Sequence, residues 1–173
     1  MLSYFKVVER LRTSETPKPR RSAGLGRIVP FILLCFSACH VQAIKHDAGK
    51  AVLDTNQFLK ALCIDENPSE ALKFCSDEVR AAGGADALTK MLTKIKQDRG
   101  RLQRLAADSY LMVQGAGMEL FYVGTYDNGV LYHRLVLAGD ASAGYRVTGI
   151  WFKPEPYPEN VMRKKFETEI PVE

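Results

Sequence analysis

Two hydrophobic periods divide the chain. Over residues 46–64 the apolar positions Val52, Leu53, Phe58, Leu59 and Leu62 recur at helical spacing, which predicts one amphipathic helix. Pro68 disfavours helix in the residue before it and ends that run. Ser69 is a good N-cap for a second helix over 70–82, with Leu72, Phe74 or Cys75, and Val79 turned inward. Gly83 and Gly84 stop it. A third helix over 85–99 carries Leu88, Leu92 and Ile95 on one face and ends at Gly100.

Near Arg101 the period changes to two. A first strand is predicted over 101–113, although Ala106, Ala107 and Asp108 break its alternation. Residues 118–126 alternate clearly, and Asp127-Asn128-Gly129 supplies residues suited to a tight hairpin. A strand over 130–138, a looser turn over 139–144 and a strand over 145–153 complete a meander. Pro154, Pro156 and Pro158 then oppose further ladder pairing. The last residues, 159–173, are expected as a short helix or a solvated tail. The sum is an α+β domain over 44–158: about three helices packed on an antiparallel sheet of three to four strands.

Charge changes the picture only at the N-terminus. The formal net charge is +4, but seven of the 24 Lys/Arg and two of the 20 Asp/Glu fall in residues 1–43. The remainder has seventeen basic and eighteen acidic side chains and is nearly neutral. That balance offers no phosphate-neutralising stripe, so nucleic acid is not an expected partner. Residues 1–43 run from a basic segment through the apolar stretch 28–38 to small residues, the order of a secretion signal. The apolar stretch is short of the roughly 20 residues that span a bilayer. Signal cleavage after Ala43 would start the mature chain at Ile44. Alternatively, 36–39 reads as a lipobox with Cys39 as the lipidated residue, or the segment stays as an uncleaved anchor. Export to the periplasm or outer envelope follows, with membrane contact only through the signal or a lipid.

Two cysteines, Cys63 and Cys75, remain in the exported part. An even pair in an oxidising compartment predicts a disulfide, stabilising by about 3 kcal/mol in the chain-entropy model. Two Cys with no nearby His make no four-ligand metal site, and nothing calls for a cofactor.

The combination of Ser76 and Asp77-Glu78-Val79-Arg80, a Gly/Ala-rich break, Leu88-Leu92-Ile95, ELFYVGTY (119–126), LYHRLVL (131–137) and YRVTGIWFKP (145–154) resembles small exported bacterial domains of unknown function. These domains have nuclear transport factor 2-like or cystatin-like folds. The resemblance covers about residues 57–156. It implies a curved sheet wrapping helices like a cone, enclosing a pocket or presenting an outer face to a partner. No catalytic residue comes with it.

Candidate chemistry is sparse. His133 shares a strand face with Leu131, Leu135 and Leu137, where a tuned imidazole would serve as a general base of an isomerase or dehydratase. The competing reading is a strand-end or sheet-edge histidine with an ordinary hydrogen bond. Tyr122, Tyr132 and Trp151 are candidates to line a ligand pocket, against plain packing of a sheet. Both faces of 130–138 are apolar, unlike a sheet with one wet face, so the C-terminal segment or a second subunit of a homodimer is expected to cover the second. The sequence thus predicts an exported, non-catalytic module binding a protein or small molecule; the alternatives are an enzyme using His133 and an immunity or inhibitor protein for a secreted toxin.

Overall fold

In a computed structural model, residues 45–113 and 117–173 are described. The expected secretion signal over 1–43, the expected cleavage point at Ala43 and Ile44, and Cys39 lie outside them.

Helix α1 (Ala48–Leu59) starts where Asp47 caps it, its carboxylate accepting from the Lys50 amide at 3.0 Å. It buries Val52, Phe58 and Leu59 but leaves Leu53 exposed, one residue off the expected face. The helix continues as a π-helical turn, Lys60–Ile64. The expected second helix is broken into α2 (Pro68–Ala71), a 3-10 turn (Leu72–Phe74) and α3 (Asp77–Ala81). The break falls at Cys75, whose extended backbone bridges in parallel to Val147 of the sheet. Helix α4 (Gly84–Arg99) follows and buries Leu88 and Ile95.

The sheet has strands β1 (Leu102–Val113), β2 (Gly117–Tyr126), β3 (Gly129–Asp140), β4 (Gly144–Lys153) and β5 (Lys164–Pro171). It is five-stranded and antiparallel, in the order β4-β3-β2-β1-β5, rather than three- to four-stranded. The fifth strand is the segment expected as a tail or short helix. The weak alternation at 106–108 is a register shift of β1 between Ala107 and Ser109.

The helices cover one face. Tyr122, Phe58, Leu59, Leu62, Met118, Leu120, Leu135 and Leu137 are wholly buried between the layers, each contributing about 2 kcal/mol of hydrophobic stabilisation. Polar bonds fix α1 against this core: Tyr122 Oη donates to Asn56 Oδ1 at 2.9 Å, and the Tyr145 amide donates to Asp54 Oδ2 at 2.8 Å. At the far end of the sheet, the β2–β3 turn is tied to the end of α4. Asp127 accepts from the Arg101 amide at 2.7 Å and from Gln103 Nε2 at 2.6 Å, and Asn128 N–H donates to Arg99 O at 2.9 Å. No helix among the described residues is long and apolar enough to cross a membrane.

The second face is covered in part, around Phe121, by the chain itself. Strands β4 and β5 are consecutive in sequence yet lie at opposite edges, so residues 154–163 form a strap across that face. Tyr157 packs on Phe121 with ring centroids 5.6 Å apart, and the Arg163 guanidinium lies 4.0 Å from the Phe121 ring centre. Phe121 is thereby buried on the side away from the helices. Arg163 is then fastened to the shifted part of β1: Nε to Ser109 Oγ at 2.6 Å and Nη2 to Asp108 Oδ2 at 2.9 Å, with Nη1 on Tyr157 O at 3.1 Å. Removing it leaves buried Ser109 and partly buried Asp108 with only each other as side-chain partners. Arg163→Ala is expected to cost about 2–3 kcal/mol in urea unfolding. The same variant should open 154–163 to limited proteolysis while α1 and β3 stay protected.

Candidate functional site

The residues singled out by sequence separate into three places. His133 lies in the interior, on the inner face of a central strand, and neither at a strand end nor at a sheet edge. Its Nε2 is 3.3 Å from Tyr126 Oη, the Phe152 ring stands edge-on to it at 4.6 Å, and Nδ1 has no partner. Gly124 makes room for this pair, because a Cβ there would come within 2.8 Å of both His133 Nε2 and a Tyr126 ring carbon. Burial pushes the imidazole pKa down to about 3 and the Tyr126 phenol well above its usual value. A base so weakened and wholly enclosed has no route to a substrate in this arrangement.

Tyr122 is also core, its hydroxyl used by Asn56. Tyr132 is half-buried on the strap side and borders a cleft of about 470 Å³ with Asp108, Tyr157 and Arg163. Only Trp151 of the three aromatic candidates lines the larger space.

That space is a groove of about 1380 Å³ between α4 and the end of β4. Ala87, Lys90, Met91 and Ile95 of α4 form one wall, and Leu131, Trp151, Phe152 and Tyr157 form the other. Trp151 is held flat by its neighbours. It overlies Gly149, where any Cβ would meet the indole at 2.4 Å, and Arg134 stacks on it at 5.2 Å. Arg134 is itself clamped by Glu119, with Nε and Nη2 at 2.8 and 2.6 Å from the two carboxylate oxygens. That hydrogen-bonded carboxylate holds the guanidinium in its charged form, raising its pKa further. Lys153 sits 4.3 Å over the Tyr157 ring. The groove therefore joins a rigid aromatic rim, an apolar floor and several cations, which suits recognition rather than bond-making. Among the described residues no cluster of three His, Cys, Asp or Glu is placed to hold a metal.

Met91 and Tyr157 escaped the sequence reading. Met91 carries no signal beyond a helical apolar position. Tyr157 did carry one, an aromatic held between Pro156 and Pro158.

Cys63 and Cys75 stand as two separate buried thiols, so the expected bridge is absent from this structure. Burial raises the Cys63 pKa to about 12 and the Cys75 pKa to about 11, which leaves both unreactive near neutrality. Comparison with known proteins finds no matching family model, no matching curated protein and no matching solved structure.

Two outcomes follow from these buried groups. The domain from Ile44 on, which contains Cys63 and Cys75 alone, should resist thiol alkylation when native, and unfolding it without reductant should expose two titratable thiols; none would appear if the bridge forms. For His133, the folded pKa lies below the ordinary value of 6.5. Its contribution is complete above pH 6.5 and is lost as the pH falls from there toward 3. Urea unfolding should show a loss of about 2 kcal/mol between pH 7.5 and 5 that is absent in His133→Leu.

Proposed function

We propose that this chain is an exported, non-catalytic binding module of the cell envelope, with the groove between α4 and β4 as its working surface. Export rests on the basic, apolar, small-residue order of 1–43. Binding rests on one observation above the rest. The large concave space is walled by a pre-set tryptophan, half-buried Met91 and Phe152, and cations such as Lys90 and Lys153 that have no carboxylate partner, while the titratable candidate His133 is sealed behind Phe152. Concave, mostly apolar sites with a few fixed polar groups are where small molecules and peptide segments bind. Helices on one face, with a groove opening between helix and sheet, also support the cone-like arrangement of nuclear transport factor 2-like and cystatin-like folds.

Native mass spectrometry of the domain recovered from the periplasm tests this reading. A retained small molecule or peptide, lost in Trp151→Ala, is the expected result. A bare monomer in both proteins removes the groove as a working site. A mass beginning at Ile44 would establish the processing in the same spectrum; a lipidated Cys39 would place the module on a membrane instead.

A further inference from the structure

We propose, resting on the binding-module reading, that the groove takes an extended acidic peptide segment, added as an extra strand along the free edge of β4. In an antiparallel sheet, alternate residues of an edge strand turn their N–H and C=O groups away from the neighbouring strand, leaving a template for pairing. The first part of the β4 edge is already used in this way. Cys75 bridges to Val147 in parallel, and Ser76 N–H donates to Val147 O at 3.0 Å. Helix α3 then begins at Asp77 and the chain leaves the sheet. Among the described residues, nothing pairs with the outer side of 149–153, a stretch about 16 Å long at strand rise.

The groove runs beside that unpaired stretch, because Trp151, Phe152 and Lys153 form its sheet wall and α4 its other wall. A strand laid there would send alternate side chains to opposite sides. One set meets Met91, Ile95 and Phe152, and the other meets the rim made by Trp151 and Tyr157. Five of the eight charged residues lining the groove are cationic. Of these, Lys90, Arg99 and Lys153 have no carboxylate partner, against Asp86 and Glu155 with no cationic one, so the lining keeps a net positive charge that acidic side chains on the segment would match. A second copy of the chain is a poorer fit. The edge of another folded sheet brings its own helix layer, and here the slot is already walled by α4 and closed at one end by Cys75 and Ser76.

The test uses short fluorescein-labelled peptides alternating Val and Glu. They are compared with a twin N-methylated on alternate amides and with a Val/Lys twin. Anisotropy should show the Val/Glu peptide binding and the N-methylated twin weakened by about ten-fold or more, since methylation deletes ladder hydrogen bonds. Lys90→Glu, an exposed position, should weaken the Val/Glu peptide by about five-fold and improve the Val/Lys peptide. Hydrogen exchange should slow at 149–153 and stay unchanged in β5. Equal binding of the methylated twin, protection in β5 instead, or no peptide binding at millimolar concentration overturns strand addition. Protection of 149–153 that appears with protein concentration alone also overturns it, in favour of self-pairing. A small molecule retained in the groove without any peptide binding would sink strand addition and leave the binding module standing; an empty groove would sink both.

Discussion

The structure turns on one topological demand: the chain leaves the sheet at β4 and must re-enter at the opposite edge as β5. A crossing of that kind runs over the face the helices do not cover, and it holds only if something pins its far end. Arg163 does so, with three nitrogens engaged by Ser109, Asp108 and the Tyr157 carbonyl and its plane on Phe121. The register shift in β1 belongs to the same device, because it sets Asp108 and Ser109 together beside the strap. A sheet that reads as apolar on both sides thus buries Phe121 on its second side with its own chain. The crossing also brings Tyr157 to the groove rim, so the latch and the candidate site share a wall.

His133 shows how a polar residue in an apolar strand can mislead a search for catalysis. The features that single it out, an imidazole among leucines in the middle of a strand, are those that enclose it once β2 and β4 pair on either side. Enclosure costs it basicity and access together. Phe152 lies between the imidazole and the groove, with its ring on His133 and its flank lining the open space. Binding and any imidazole chemistry are therefore separated by a single aromatic ring, and the polar resources left to the groove are cations and backbone groups.

Much of this architecture was legible in the sequence. Apolar spacing located α1 and α4, alternation located β2 to β4, and Asp127-Asn128-Gly129 marked the hairpin. The broken alternation at Ala106–Asp108 marked the register shift in β1. Other features were beyond local reading for physical reasons. β5 has charged residues at four of its eight positions (Lys164, Lys165, Glu167, Glu169) and borrows its strand character from pairing with β1. The second helix breaks because Cys75 is drawn into a bridge with a residue 72 positions away. The groove depends on how far α4 stands from β4, and no local pattern encodes that separation. What decides it is the anchoring of α4 at its end, through Arg99, Arg101 and Asp127.

The two edges of the sheet are guarded in different ways, and the difference bears on what the molecule is built to do. β5 is mostly exposed and carries Lys164, Lys165, Glu167 and Glu169, a charge density that deters another strand from pairing. The open half of β4 carries Gly149, Ile150, Trp151 and Phe152 before its one charge at Lys153. An edge of that composition, left in open solvent, would invite aggregation. It is shielded instead by the bulk of α4, which stops a second sheet from approaching but leaves a channel alongside. Charge closes an edge to every strand; a standing helix closes it only to broad partners. On the proposed reading, the β4 edge is thus selective by width.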